Sequence, residues 1–223
     1  MNRELRLKYG YPIECNDCAI FESKPKNISR IDPFHKIGKG LKLLLIGQDP
    51  TIFEEPDRVN TVLMLNETKG RNGQLRKWLE KELFGIENFN KIEIYATNLV
   101  KCQFDIPPTL SKGGALKFLK PRFNLCKKHL AKEIECFRPD VVLTLGESVH
   151  KLFSKEIKIT KGELKGKMKN DFTGKFIQAK FEDIEFSYSP CLHIKTFRVA
   201  ETYGKQVFDF KNGLNERLKK AST

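Results

Sequence analysis

The sequence predicts an α/β fold, a three-layer sandwich with a central, mostly parallel four-stranded sheet. Four runs have the length and apolar character of strands, and each is followed by a segment with helical spacing of apolar residues. These predicted strands are residues 41–46, 92–99, 140–146 and 184–190. Strands that alternate with helices favour parallel pairing, because each connecting helix crosses one face of the sheet.

The first half of the chain shows the pattern clearly. LKLLLI at 41–46 is an apolar run that Gly47 and Pro50 end. Residues 73–84 carry leucines and a tryptophan at helical spacing, which predicts a helix packed on the sheet. IEIYATNL at 92–99 alternates as a strand does.

The second half of the chain repeats this alternation of strands and helices. The segment 121–137 is predicted to be a helix, with Pro121 near its start and Pro139 after its end. A buried strand and a short helix follow. Residues 156–180 are rich in Lys and Gly, which favours either a hairpin or a mobile loop. Residues 201–220 are predicted to close the chain as a helix.

The 223 residues show neither an internal repeat nor a clear linker, so one domain over 1–223 is expected, with an N-terminal C-x-x-C segment at about 11–30. No apolar run approaches the roughly 20 residues of a membrane span. MNRELRLKYG lacks the apolar stretch of a secretory signal. We therefore expect a cytoplasmic, monomeric protein.

The formal net charge of +13 is concentrated in two segments. Residues 101–132 carry eight Lys or Arg and one Asp, and residues 151–180 carry nine Lys and three acidic residues. Clustered positive charge binds a polyanion by releasing its counterions, which favours a nucleic-acid partner. A Lys-rich solvated face is the alternative.

The cysteines suggest a metal site. Cys15 and Cys18 form a C-x-x-C that can bind one metal or cluster from a single turn, and such pairs usually need two more ligands. Cys102 follows a strand and Cys126 lies in a helix, so all four could converge. A redox C-x-x-C would be followed by a helix pattern, and none is present. Cys136 is expected in the core.

An acidic turn follows the first predicted strand. Asp49, Glu54 and Glu55 lie in GQDPTIFEE, directly beyond 41–46. In parallel sheets, ligands bind beyond the carboxyl ends of the strands. The loops 47–56, 98–108, 146–148 and 189–193 leave those ends.

Six segments in order carry a resemblance to a known family. They are the C-x-x-C, GQDPTIFEE, GRNGQLRKWL, TNLVKC, CKKHLAKEIECFRPDVVLTLG and YSPCLH, and they cover the chain from about Glu14 to about Arg198. In these segments the chain resembles the uracil-DNA glycosylase superfamily, in particular its iron–sulfur-containing, family 4/5-like members.

The resemblance implies a uracil-DNA glycosylase-like fold and a DNA N-glycosylase. Such an enzyme hydrolyses the bond to uracil or another deaminated base in base excision repair, at the nucleoid. It also implies a 4Fe–4S cluster held by Cys15, Cys18, Cys102 and Cys126, with structural zinc on the same ligands as the alternative. A catalytically weak iron–sulfur protein that binds nucleic acid is the alternative function.

The resemblance also assigns roles to the first two loops. Asp49 matches the aspartate that orients the attacking water, although a turn aspartate that bonds its own backbone is the alternative. Gly47 and Pro50 shape the turn, and the Gln48 backbone faces the base. Asn98 matches the base-reading asparagine, whose amide offers a donor and an acceptor side by side.

Two positions depart from the family around the base. The aromatic residue that stacks on uracil aligns with Thr68, and Phe53 or Phe104 could substitute for it. Thr51 replaces the residue that follows the DP pair, so exclusion of a thymine methyl group is not assured.

The closing loop departs as well. The histidine that stabilises the leaving base aligns with Ser189, a weaker stabiliser of a developing anion. His193 lies four residues on and is the candidate replacement. Leu192 is the candidate wedge that enters the base stack when the base flips out.

Overall fold

The computed structural model describes residues 2–21, 31–50, 60–70, 72–104, 107–192 and 200–221, and of residues 200–202 only the backbone. Its centre is a seven-stranded mixed sheet with the order β1-β3-β2-β4-β7-β6-β5. The strands are β1 Phe34–Lys36, β2 Lys42–Gly47, β3 Glu93–Asn98, β4 Val141–Leu145, β5 Lys158–Lys161, β6 Ile177–Phe181 and β7 Ile184–Cys191.

The four central strands are parallel, as the sequence predicts. β2 pairs in parallel with β3 and β4, and β4 pairs in parallel with β7. Five of the six residues of β2 are buried, because helices cover both faces of the sheet and an alternating pattern is not required. β1 adds an antiparallel strand at one edge, and β6 and β5 add two at the other.

The helices lie between these strands in sequence. They are α1 Arg3–Tyr9, α2 Gln74–Lys77 with a π-helical continuation Trp78–Leu83, α3 Ile86–Lys91, α4 Gly114–Phe137, α5 Glu147–Phe153, α6 Met168–Asp171 and α7 Ala200–Lys220. Short 3₁₀ turns occur at Asp17–Ile20, Val62–Met64 and Pro108–Leu110. None of the helices described here is long and apolar enough to cross a bilayer.

Each face of the sheet has its own core. Leu43 and Leu45 pack on one side, in a cluster that includes Trp78 and Phe210. Leu44 and its neighbours on the same face pack on the other side against α4, in a cluster that includes Phe123, Phe137 and Phe153. Alternate residues of one strand therefore supply both cores, which is the three-layer arrangement.

Two local predictions change, and one open alternative is resolved. α4 begins at Gly114 rather than near Pro121, which lies inside the helix. Gly113 and Gly114 both have positive φ, so they form the turn that starts the helix earlier. Cys136 is exposed rather than packed in the core. The Lys-rich segment 156–180 forms β5, α6 and the start of β6, as the hairpin alternative predicts.

Candidate active site

The ends of β2 and β3 bring the predicted aspartate and asparagine turns together. Gly47 pairs with Asn98 at the last position of the two strands. Beyond the strands, the Leu99 N–H donates to the Gly47 carbonyl at 2.9 Å, and the Val100 N–H donates to the Gln48 carbonyl at 3.1 Å. The segments 47–50 and 98–100 therefore run side by side at the carboxyl edge of the sheet.

Asn98 has a buried amide without a partner. The residue is fully buried, and neither Nδ2 nor Oδ1 has a hydrogen-bond partner among the described residues. Each unpaired buried polar group costs about 1–3 kcal/mol, so protein interiors rarely leave both ends of an amide unpaired. The arrangement suits a ligand that offers one acceptor and one donor to this side chain.

Gly47 makes room for that amide. A Cβ atom built on Gly47 would lie 2.3 Å from Asn98 Oδ1 and 2.7 Å from Leu63 Cδ2. Glycine is thus required here because the Asn98 and Leu63 side chains approach its Cα closely. Its backbone conformation does not require glycine, since its φ does not lie in the left-handed region.

Asp49 lies two residues beyond Gly47 and is only partly buried. The Gln48 Nε2 donates to Asp49 Oδ1 at 2.9 Å, which orients the carboxylate. Pro50 is buried. Thr51, Phe53, Glu54 and Glu55 lie outside the described residues.

Leu63 is a site residue that the sequence did not reveal. It lies in the turn Val62–Met64 with φ of 56°, and Met64 follows with φ of 50°. Two successive non-glycine residues in the left-handed region are costly, about 1–3 kcal/mol each, and such strain clusters at functional sites. Leu63 packs beside Gly47, so it forms an apolar wall next to the Asn98 amide.

The residues proposed for base stacking lie elsewhere. Thr68 is exposed, beyond this turn. Phe104 is buried, and its ring meets Phe118 edge-on with 4.9 Å between centroids. Phe104 therefore belongs to the core beneath α4. Among the described residues, Leu63 is the apolar side chain that lies against the Gly47–Asn98 pair.

The closing segment differs from an exposed catalytic loop. β7 continues to Cys191, so Ser189 is a fully buried strand residue opposite Leu143, and its hydroxyl donates to the Pro190 carbonyl at 3.1 Å. Leu192, the candidate wedge, directly follows β7, is 5% exposed and belongs to the core. His193 lies outside the described residues.

Three of the four predicted thiol ligands are in contact. The Cys18 thiol forms hydrogen bonds with the thiols of Cys102 and Cys126. The contact with Cys102 and burial raise the pKa of Cys18 to about 12. The contact with Cys18 and burial also raise the pKa of Cys126 well above its usual value.

Cys15 lies at the side of this group. Its sulfur, a carboxylate oxygen of Asp17 and a ring nitrogen of His129 are within 4.8 Å of one another. His129 Nε2 is buried without a hydrogen-bond partner among the described residues. Buried thiols from three chain segments fit a soft cation. A metal stabilises the thiolate form, which burial disfavours at Cys18 and Cys126.

A group of exposed lysines lies at the same edge of the sheet as Asp49. β5 runs parallel to β7 through β6, so the loop after Lys161 leaves the carboxyl edge of the sheet. The His150 ring and the Asp171 carboxylate, 2.7 Å apart, anchor this loop to α5. Its exposed lysines are Lys161, Lys165, Lys167, Lys169 and Lys175.

The first basic segment is less exposed than its sequence suggests. Lys101 and Arg122 are buried, and Arg122 lies over the Phe118 ring with 3.6 Å to its centroid. Lys112, Lys117 and Lys120 are exposed around the start of α4. Because α4 ends at the amino edge, where Lys42 Nζ donates to the Phe137 carbonyl at 3.2 Å, its start lies toward the carboxyl edge.

Comparison with known proteins agrees with this arrangement. The family model of the uracil DNA glycosylase superfamily matches residues 34–208, from β1 into α7. The chain belongs to the uracil DNA glycosylase superfamily. Members of this superfamily act on DNA and are usually hydrolytic DNA glycosylases. The matched range contains Cys102 and Cys126 and begins after the C-x-x-C. No curated protein matches the chain.

Proposed function

We propose that this protein is a DNA glycosylase that hydrolyses the N-glycosidic bond of uracil or another deaminated base, as a step of base excision repair. The observation that carries the proposal is the buried, unpartnered Asn98 amide beside the Asp49 turn. Uracil presents a carbonyl acceptor and an N–H donor side by side, and a side-chain amide can pair with both.

In the proposed reaction the target base leaves the stack, which costs a few kcal/mol. Asn98 then pairs with its edge, and Leu63 forms an apolar wall of the pocket. The Asn98 Nδ2–H donates to a base carbonyl oxygen, where negative charge develops as the bond breaks.

Asp49 acts on the sugar side. Cleavage leaves a cation-like deoxyribose that water must capture, and a carboxylate can both orient that water and offset the positive charge. The hydrogen bond from Gln48 orients the carboxylate that would hold this water. One proton of the water passes to Asp49 as the new C–O bond forms.

The four cysteines Cys15, Cys18, Cys102 and Cys126 are proposed to hold a 4Fe–4S cluster, with zinc as the alternative occupant. The group would be structural, because it would tie the C-x-x-C turn and the segment after β3 to α4. The thiol contacts of Cys18 support this ligand set.

Nucleic-acid binding without efficient excision is the second candidate. Ser189 favours it, because its hydroxyl is buried and turned to the Pro190 carbonyl rather than toward the Asp49 turn. Both candidates use the lysines at the carboxyl edge to bind DNA.

The two candidates are separated by an excision assay on duplex DNA with uracil opposite guanine. Wild type should produce abasic sites, and Asp49→Asn should be slower by about 10²–10⁴-fold, the usual contribution of a positioned general base. Asp183→Asn, in the turn between β6 and β7, is the control. DNA binding without abasic sites in wild type would favour the second candidate. A panel of uracil, hypoxanthine, xanthine and mismatched thymine then defines the preferred base.

A further inference from the structure

Lys101 is a fully buried lysine next to one predicted metal ligand, Cys102. Its ammonium group donates to Thr97 Oγ1 at 2.6 Å and to the Asn98 carbonyl at 2.6 Å, and it pairs with Glu133 Oε2. All three ammonium protons therefore have acceptors inside the protein.

Glu133, its partner on α4, is also fully buried, and both of its carboxylate oxygens accept hydrogen bonds. The other carboxylate oxygen, Oε1, accepts from the Tyr95 hydroxyl at 2.8 Å and from the Thr97 hydroxyl at 2.7 Å. The network joins the end of β3 to the C-terminal part of α4, and the apolar core on that face of the sheet surrounds it. Replacing such a pair by apolar residues of similar volume is often neutral or stabilising, so stability alone is a weak reason for it.

The position of Lys101 suggests another reason. Its ammonium group holds the Asn98 carbonyl, and its own backbone N–H donates to the sulfur of Cys126. Lys101 thus contacts both the Cys126 thiol and the backbone of Asn98, whose side-chain amide has no partner among the described residues. Asn98 is the last residue of β3, and the contact from Lys101 adds to the backbone hydrogen bonds that Leu99 and Val100 make with Gly47 and Gln48.

We propose that Lys101 is a positioning residue. It fixes the Asn98 backbone relative to the cluster of Cys18, Cys102 and Cys126, and so aims the Asn98 amide into the base pocket. The inference rests on the proposed function for the identity of the ligand. The contact with Glu133 holds the lysine side chain in place. The cluster of Cys18, Cys102 and Cys126 then stabilises base recognition through Lys101, without contacting the base.

The test replaces both charges, because a single substitution would leave an uncompensated buried charge and could unfold the protein. The variant is Lys101→Met with Glu133→Gln. The control is His35→Gln with Glu93→Gln, a partly buried pair whose side chains are 2.9 Å apart and whose glutamate starts β3. Both are made in the Asp49→Asn background, so that bound DNA is not cleaved.

Three quantities are measured. The first is the ratio of dissociation constants for undamaged and uracil-containing duplexes, which isolates base recognition from backbone affinity. The second is the side-chain amide resonance of Asn98 in NMR spectra, assigned by its loss in Asn98→Asp. The third is the iron and zinc content of the protein.

We expect the double variant to keep its metal content, to shift the Asn98 amide resonance, and to lose about tenfold in the recognition ratio, as for one poorly placed hydrogen bond. The His35 and Glu93 control should change none of the three. An unchanged resonance and ratio would overturn the inference, and so would a loss of recognition that occurs only together with loss of metal. A parent protein that neither prefers nor excises any deaminated base would instead refute the proposed function, while the amide resonance still tests the position of Asn98.

Discussion

Gly47→Ala tests the geometry of the proposed base pocket most directly. The new methyl group would lie 2.3 Å from Asn98 Oδ1, whereas ordinary van der Waals contact begins at 3.4 Å. The amide must therefore move by about 1.1 Å, or Leu63 and the ends of both strands must separate. A displacement of about 1 Å in a catalytic constellation can cost ~10²-fold in rate. Overpacking should cost about 1–3 kcal/mol of stability.

The assay is kcat/KM for uracil release from duplex DNA, with thermal unfolding measured on the same sample. We expect about a 10²-fold loss of kcat/KM in a protein that still unfolds cooperatively. Gly204→Ala is the control, because nothing lies within 4 Å of its added methyl group. A folded Gly47→Ala protein with wild-type kcat/KM would show that the Asn98 amide does not read the base.

Three further predictions follow from the cysteines and the lysines. Cys126→Ser should release the bound iron or zinc. Cys136→Ser should not, because Cys136 is exposed, unlike the buried Cys126. Metal analysis and the visible absorbance spectrum measure the metal content. Burial raises the pKa of Cys191 to about 12, so iodoacetamide at pH 8 should modify Cys136 and spare Cys191, as read by peptide mass spectrometry. Lys165→Ala with Lys167→Ala should reduce the slope of log K against log salt by up to about 1.8 in a DNA-binding titration.

Each of these has a result that contradicts it. Full metal content in Cys126→Ser would remove that residue from the ligand set. Rapid alkylation of Cys191 in the folded protein would show that its side chain is accessible. For the lysines, the control is Lys91→Ala with Lys219→Ala, which line a cavity at the amino edge of the sheet. An equal fall in slope for both pairs would show that the lysines of the loop after Lys161 contribute no more to DNA binding than the control lysines do.

Much of the fold follows from the sequence because the parallel strands are buried on both faces. LKLLLI and DVVLTLG are nearly uninterrupted apolar runs, and only a sheet covered on both sides accepts such strands. The neighbouring positions of Asp49 and Asn98 follow from the same pattern, since parallel strands end at one edge.

Other features depend on conformation that residue types do not encode. Leu63 was missed because its position comes from a left-handed backbone, which leucine rarely adopts and no apolar pattern signals. Leu192 was expected in the closing loop, but β7 extends through Cys191 and Leu192, directly after it, packs in the core. The burial of Lys101 was hidden for another reason, since its partner Glu133 is 32 residues away in sequence.

The hairpin that completes the sheet has a consequence for colloidal behaviour. β5 is the outermost strand on its side, and unpaired strand edges are templates for edge-to-edge aggregation. Its sequence is KITK, with both lysines exposed. A second copy that approached this edge in register would bring like charges together, so the same lysine-rich segment that suits a polyanion also protects the sheet from polymerising.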